Sequence, residues 1–296
     1  MKNLLLTTVL ILAVIFSSNA TNDVNGPAKK VSISGAGATF PLPFYNLAFK
    51  TYQDKTGNSI TYGGIGSGGG IRSLKDKIVD FGGSDAYLSD KEMGEMPAAV
   101  VHIPTCMGAV VLAYNLPGVD NLKLTGDIIA DIYLGKITKW NDSRIAAINP
   151  GVNLPDKAMS PVYRSDGSGT TFVFSDYMTK VSPEWAEKIG TGKSLKWPVG
   201  MAAKGNPGVA GVISQTEGSI GYVGSEYAFA MKIQFAQMRN AAGNFITPNT
   251  ESISAAAKGD MPADTRTMIT NSAAPDAYPI SCFTWIILYK EQAYAD

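Results

Sequence analysis

The sequence has 296 residues, with 25 basic and 25 acidic side chains, one histidine and two cysteines. A charged fraction of 17% beside 45% hydrophobic residues is typical of a compact globular protein rather than a disordered chain. The balanced charge offers no support for nucleic acid or an anionic membrane as a partner. A single imidazole without a cluster of cysteines and histidines argues against a zinc site, and we predict neither a metal nor a cofactor.

The first twenty residues have the composition of an export signal. Lys2 precedes an apolar run from Leu4 to Phe16, and Ser18-Asn19-Ala20 supplies a small-residue cleavage site. This order predicts a secretory signal peptide over residues 1–20, cleaved after Ala20, and therefore an exported protein. After Ala20 no apolar run approaches the roughly 18 residues of a membrane span, so we expect no direct membrane span in the mature chain.

Short strands, small-residue loops and helices alternate along the chain. The main predicted elements are a strand over 31–37, a helix over 44–52, a strand over 59–62, a loop over 63–70, a helix from Ile71, a strand over 78–83, a strand over 102–114, a helix over 125–133, strands over 159–163 and 218–223, a helix end over 255–258, and a strand over 278–289. Such alternation predicts an α/β fold, in which ligands bind at the carboxyl ends of strands.

The most informative stretch is 164–172, which reads Arg-Ser-Asp-Gly-Ser-Gly-Thr-Thr-Phe. Ser168 or Thr170 can cap the helix that follows, and the glycines let a ligand approach the backbone N–H groups of its first turn. Arg164 adds a full charge and a planar fork of donors, which suits a tetrahedral oxyanion. An ordinary capped helix without a ligand is the alternative interpretation.

Two further loops have the same chemistry. Residues 37–40 and 66–69, like 166–170, join a predicted strand to a predicted helix and combine small residues with a hydroxyl. Each offers backbone N–H groups in a concave arrangement that suits an anion. Convergence of the three loops on one anion is the interpretation we prefer, although glycine-rich turns are common in α/β proteins.

Several other motifs fail on inspection. Residues 64–69 match the dinucleotide pattern, but no well-placed acidic residue for a ribose stands out. Residues 192–194 resemble the end of a phosphate-binding P-loop, yet Glu187 occupies the position of its first glycine. No Gly-x-Ser-x-Gly elbow occurs, and His102 is the only possible base for a serine nucleophile. Cys106 and Cys282 lie in apolar segments, as buried thiols do, although an exported protein can form a disulfide.

Taken together, the motifs resemble those of the periplasmic phosphate-binding proteins of high-affinity phosphate ABC transporters. The resemblance covers nearly all of the mature chain, and it rests on Gly35-Ala36-Gly37-Ala38-Thr39-Phe40-Pro41, Gly64-Ile65-Gly66-Ser67, Val79-Asp80-Phe81-Gly82-Gly83-Ser84-Asp85, Asp131-Ile132-Tyr133-Leu134-Gly135-Lys136-Ile137 with Trp140, and Arg164-x-Asp166-Gly-Ser168-Gly-Thr170.

The resemblance implies a two-lobed, type II-like binding protein, with a mixed sheet flanked by helices in each lobe and two crossover strands as the hinge. The first lobe would comprise 21–104 plus 280–296, the crossover strand 105–114, and the second lobe 115–279. The crossovers can lie antiparallel side by side in such folds, which makes a Cys106–Cys282 disulfide conceivable. Members usually continue for some tens of residues past the last crossover strand, so we expect an apolar face of the first lobe to be left uncovered here.

The resemblance also implies a set of phosphate-binding residues and no catalytic ones. The first lobe would contribute Ala38, Thr39, Phe40, Ser67 and the acceptor Asp85; the second would contribute Arg164, Ser168, Gly169 and Thr170, with Asp166 holding Arg164. At neutral pH phosphate still carries a proton that Asp85 can accept in a hydrogen bond, whereas sulfate carries none. A helix-capping role is the alternative for Asp85.

The implied function is non-enzymatic: a monomer binds inorganic phosphate and delivers it to ABC transporter permease subunits at the inner membrane. A secreted phosphohydrolase is the alternative from another class, but it would need a metal or an activated nucleophile. A receptor for another oxyanion is a third possibility. Asp85 argues against sulfate and does not distinguish arsenate, which is also protonated.

Overall fold

The structure is a computed structural model that describes residues 30–292. The predicted signal peptide and its cleavage site lie outside these residues. The strands are β1 (Ser32–Gly37), β2 (Ser59–Gly64), β3 (Phe81–Ser84), β4 (Val100–Tyr114), β5 (Lys123–Leu124), β6 (Ser160–Arg164), β7 (Met201–Ala203), β8 (Ser219–Gly224), β9 (Gln234–Phe235), β10 (Gln237–Arg239), β11 (Phe245–Ile246) and β12 (Ser281–Tyr289). The helices are α1 (Leu42–Thr56), α2 (Ser67–Lys75), α3 (Asp90–Gly94), α4 (Gly126–Tyr133), α5 (Ser143–Ile148), α6 (Gly169–Val181), α7 (Pro183–Lys188), α8 (Gly205–Gln215), α9 (Ser225–Ala230) and α10 (Thr250–Ala255).

A nine-stranded mixed sheet forms the centre of the described fold, in the order β2-β1-β3-β12-β4-β8-β6-β7 with β9 also pairing to β4. Parallel pairing joins β1 to β2 and β3 at one end, and β6 to β7 and β8 at the other. Helices connect these parallel strands, which confirms the predicted mixed α/β class. A small separate sheet, β11-β10-β5, lies beside the second half.

Two long strands join the two halves of the sheet. β4 pairs antiparallel with β12 along Val100–Ala109, and then with β8 along Val110–Tyr114. Residues 109–114 are at most 1% exposed, because this segment of β4 is covered on both faces. Its continuous apolar sequence is the consequence of that double burial.

The two cysteines lie on these joining strands as free thiols. Cys106 is opposite Thr284, and Cys282 is opposite Gly108, so the two side chains are offset by two positions in the antiparallel register. Diagonal neighbours in a sheet are farther apart than directly opposed residues, which does not favour a disulfide. Burial raises the pKa of the Cys106 thiol to about 12, so this thiol is protonated at neutral pH.

Each half of the sheet has its own apolar core. The first is built around Leu74, Trp285 and Ile287. The second is larger and contains the buried end of β4 together with Phe174 and Tyr222, whose rings stack 4.4 Å apart. Burial of these rings anchors α6, which begins inside the 164–172 stretch, and β8, which pairs with the strand β6 that precedes it.

Several predicted boundaries differ from those in the structure. The segment 63–70 is not a loop throughout, because α2 already begins at Ser67 after Gly66 adopts a φ of 86°. The third strand is Phe81–Ser84 rather than 78–83, since Lys77 with a φ of 56° makes a turn after α2. The helix predicted to end over 255–258 is α10, and it ends at Ala255.

An apolar groove opens on the face of the first half that α1 covers only in part. Its lining is formed by side chains from α1 and the neighbouring strands, namely Ile33, Phe49, Ile60, Phe81, Ile103, Ile286 and Leu288. Ile103 is 46% exposed, although it lies in the middle of the sheet. Over residues 30–292, none of the helices combines the length and the apolar character that a bilayer crossing requires.

Candidate functional site

The loop between β1 and α1 brings the first predicted residues to the carboxyl end of the sheet. The N–H of Ala38 donates to Gly83 O at 2.8 Å, so this N–H is already used in the loop and we withdraw Ala38 as an N–H donor to a ligand. The hydroxyl of Thr39 accepts from the backbone N–H of Asn206 at 3.0 Å. The ring of Phe40 packs against Gly108, where an added Cβ would lie 2.5 Å from it.

The loop between β2 and α2 places Ser67 at the same point. Ser67 is fully buried, and its hydroxyl accepts from the N–H of Gly169 at 3.0 Å and from the N–H of Asp85 at 3.4 Å. The next N–H, that of Gly68, donates to Gly167 O at 2.9 Å. The second predicted loop therefore contacts the third directly, although about one hundred residues separate them in sequence.

The loop between β6 and α6 carries the guanidinium. Asp166 accepts two hydrogen bonds from Arg164, at 2.8 Å from Nε and 2.6 Å from Nη2, which orients the guanidinium plane. The remaining nitrogen, Nη1, lies 3.3 Å from Thr170 Oγ1. Of the two capping candidates, Ser168 is the one that caps α6, since its hydroxyl accepts from the N–H of Thr171 at 3.0 Å.

Gly169 shows why this loop needs a residue without a side chain. A Cβ at this position would lie 2.4 Å from Ser67 Oγ and 2.7 Å from the backbone nitrogen of Asp85. Both are shorter than contacts that real Cβ atoms make, so only glycine lets the start of α6 approach the other half of the fold this closely.

Asp85 follows β3 and is 1% exposed. Its Oδ1 accepts from the Thr284 hydroxyl at 2.9 Å, and its Oδ2 accepts from the Thr170 hydroxyl at 3.2 Å. Burial raises the pKa of this carboxyl to about 7, although the Thr284 hydrogen bond and the charge of Arg164 act in the opposite direction. An acceptor that titrates near neutrality therefore faces a guanidinium and several hydroxyls.

Known proteins resemble this chain in sequence and in fold. Residues 23–296 match the profile of a PBP superfamily domain. The phosphate-binding protein PstS of Xylella fastidiosa (strain 9a5c) is 45% identical over 268 residues, which cover 89% of this chain and 73% of that protein. The phosphate-binding protein PstS of Pasteurella multocida (strain Pm70) is 41% identical over 286 residues, covering 95% and 81%.

The chain belongs to the PstS family of phosphate-binding proteins. This confirms the family that the sequence motifs indicated. The fold agrees with solved structures of more distant proteins. A putative phosphate ABC transporter substrate-binding protein from Clostridium perfringens superposes with a TM-score of 0.62 at 20% identity, covering 90% of this chain and 88% of that one. The periplasmic phosphate-binding protein PfluDING superposes with a TM-score of 0.67 at 21% identity, covering 90% and 82%.

These likenesses confirm the two-lobed architecture for this PstS relative. The predicted residues Thr39, Ser67 and Asp85 come from the first half of the sheet, and Arg164 and the start of α6 come from the second. The structure brings all of them to one point where the halves meet. Their individual roles toward a ligand remain predictions, which are taken up below.

One residue of the candidate site was missed in the sequence. Asn206 is fully buried at the start of α8, and its side-chain nitrogen lies 3.0 Å from Thr39 Oγ1 and 3.1 Å from Thr170 Oγ1. The signal was available, since Gly205-Asn206-Pro207 is another group of glycine and turn-forming residues, here in the first turn of α8. It was overlooked because β7, which precedes it, is only three residues long and was not predicted.

An ion pair joins the two halves of the sheet next to the loop between β6 and α6. Lys193 Nζ lies 2.6 Å from Glu92 Oε1, and Glu92 also completes the capping box at Ser89. The Lys193 bond and the backbone hydrogen bond at Ser89 lower the pKa of the Glu92 carboxyl, despite the opposing effect of burial. The pair links α3 in the first half of the sheet to the loop after α7 in the second.

Proposed function

We propose that this protein binds inorganic phosphate between its two lobes and delivers it to the permease subunits of an ABC transporter. The observation that carries the proposal is the meeting of three glycine-rich, hydroxyl-bearing loops around Arg164 and Asp85. The names of the PstS relatives support the same ligand. Such receptors act by closing around the ligand, which gates its loading and release.

The proposed lobes are 21–104 plus 280–296 and 115–279, with 105–114 as one crossover strand. The register of β4 with β12 and then with β8 supports this division. We further propose that the protein is exported to the periplasm and acts as a monomer without catalysing a reaction. The PstS relatives are named as binding proteins, which supports the last point.

The proposed ligand set divides into donors and one acceptor. Arg164, held by Asp166, supplies the charge; Thr39, Phe40, Ser67, Ser168 and Thr170 supply hydroxyl or backbone N–H groups. Gly169 supplies its N–H when that group leaves the Ser67 hydroxyl, a partner on the opposite half of the sheet. Asp85 is the acceptor for the proton that phosphate retains at neutral pH. Burial raises the pKa of this carboxyl, while the Thr284 hydrogen bond and the charge of Arg164 favour the ionised form that accepts this proton.

Calorimetric titration of the refolded, phosphate-stripped protein with phosphate and then sulfate tests this proposal. We expect tight one-to-one binding of phosphate and no heat from sulfate. An equal response to both anions would contradict the selectivity assigned to Asp85. A folded sample, verified by circular dichroism, that gives no heat with phosphate would contradict the proposed function itself.

A further inference from the structure

Asn206 lies where α8 begins, and its side chain meets both threonine hydroxyls assigned above to phosphate. A primary amide carries two N–H groups, and Asn206 directs one to Thr39 at 3.0 Å and the other to Thr170 at 3.1 Å. Its amide oxygen accepts from the backbone N–H of Gly224 at 3.0 Å. This last bond sets the orientation of the amide, because a flipped amide would point its hydrogens at that N–H.

The two hydroxyls have no acceptor capacity to spare. A hydroxyl has two lone pairs and one hydrogen. Thr39 Oγ1 also receives the backbone N–H of Asn206 at 3.0 Å, and Thr170 Oγ1 also receives Arg164 Nη1 at 3.3 Å. With both lone pairs of each oxygen occupied, each hydroxyl can act only as a donor. The O–H of Thr170 accordingly donates to Asp85 at 3.2 Å.

We propose that Asn206 is a positioning residue for phosphate: it occupies acceptor sites of Thr39 and Thr170, so that each hydroxyl can only donate. The Thr39 hydrogen is then presented to the anion, and the Thr170 hydrogen is held by Asp85 until a ligand oxygen takes its place. This inference rests on the proposed function. Its consequence is that the site is arranged for acceptor-rich ligands before one arrives. Within residues 30–292 the Thr39 hydroxyl donates to no other group, and the Thr170 hydroxyl has only its bond to Asp85 to release. Preorganised donors of this kind increase affinity because they reduce the ordering needed on binding.

A double-mutant cycle tests the proposal by calorimetry with phosphate. Asn206→Ala should weaken phosphate binding about tenfold, as expected when a hydrogen bond to an anion loses its alignment. In a Thr39→Val background the same change should weaken binding only about threefold or less, because one of the two hydroxyls through which Asn206 acts is gone. Equal fold-changes in both backgrounds, or full affinity in Asn206→Ala, would overturn the proposal.

The matched control is Asn149→Ala. Asn149 is also buried, with its amide nitrogen 2.9 Å from both Lys123 O and Ile145 O, but it lies away from the site. This variant should unfold at a lower temperature and bind phosphate with the wild-type affinity.

If Asn206→Ala does not fold, Asn206→Asp is the second variant, because it keeps the volume of the side chain. It should bind phosphate more than tenfold more weakly, since its carboxylate would draw both hydroxyl hydrogens. Wild-type affinity of Asn206→Asp would overturn the proposal. A wild-type protein that does not bind phosphate would overturn the proposed function instead.

Discussion

At the scale of single residues, Asp85 is a buried carboxyl whose protonation departs from its ordinary behaviour. Its two oxygens accept from Thr284 and Thr170, and burial raises the pKa of the carboxyl to about 7. A carboxylate beside an anion would be repulsive unless a proton lies between them. Asp85 is thus suited to an anion that carries a proton at neutral pH.

Replacement of Asp85 by asparagine should weaken the discrimination against sulfate. The asparagine amide can donate to a sulfate oxygen, so the required proton on the ligand becomes unnecessary, and we expect the phosphate-to-sulfate affinity ratio to fall at least about 100-fold. Competition binding with both anions measures this ratio. Asp166→Asn is the matched control, since it should weaken both anions and leave their ratio unchanged. An unchanged ratio in Asp85→Asn would refute this role.

The single histidine should make stability depend on pH. His102 Nε2 accepts from the N–H of Leu88 at 3.0 Å, and burial with the nearby charge of Arg266 lowers the pKa of the imidazole to about 4. Because the folded-state pKa lies below the ordinary value of about 6.5, neutral His102 contributes fully to the free energy of unfolding above about pH 6.5. This contribution is lost as the pH falls through the folded-state pKa of about 4.

His102→Gln keeps an acceptor for Leu88 but does not titrate. Urea unfolding at pH 7, 5 and 4 should therefore show a smaller decrease in the free energy of unfolding for His102→Gln than for the wild type. Carboxylates contribute to both proteins alike, so the difference between the two curves isolates His102. Parallel curves would show that the imidazole plays no part in acid sensitivity.

At the scale of elements, glycines set how closely helices approach the sheet. Gly70 in α2 faces β1, and a Cβ there would lie 2.3 Å from Ala36 O and 2.4 Å from the Cα of Gly37. These are backbone atoms of a paired strand, so the helix would have to move away. Ser67 begins the same helix, and its position therefore depends on Gly70.

Gly70→Ala should destabilise the protein by about 1–3 kcal/mol and weaken phosphate binding, because α2 must shift. Gly211→Ala in α8 is the control, since nothing lies within 4 Å of the added Cβ. Because alanine is a better helix former than glycine, Gly211→Ala should stabilise the protein by about 0.5–1 kcal/mol without changing the affinity for phosphate. Thermal unfolding and calorimetry separate the two results; equal behaviour of both variants would contradict the close-approach explanation.

The type and order of most long elements followed from sequence periodicity, whereas several short ones did not. The cap of α6 was predictable because capping is local chemistry within four residues. The strand β7 was not, since three residues carry no readable period. Asn206 was missed with it, although its partner Thr39 belongs to a predicted loop.

At the scale of the whole molecule, ligand binding and folding should be coupled. The candidate site takes groups from both halves of the sheet, so phosphate stabilises only the folded arrangement in which the halves meet. At a phosphate concentration about 100 times the Kd, the added stability is about 2.7 kcal/mol. For a chain of this size that corresponds to a rise in Tm of about 5–10 °C.

Differential scanning calorimetry with and without phosphate measures this rise. Sulfate at matched ionic strength is the control, because it tests whether the effect comes from specific binding or from salt. An equal rise with sulfate would contradict a phosphate-specific coupling between the two halves.

The sequence by itself determined the α/β alternation, the chemistry of the three loops and the family, because these depend on residue type at short spacing. Only the tertiary structure decided which groups are still available to a ligand. The N–H of Ala38 is taken by Gly83, and Asp85 gains Thr284 as a partner 199 positions away in the chain. Such pairs depend on strand order and register across the sheet, and these are properties of the packed chain rather than of any one segment.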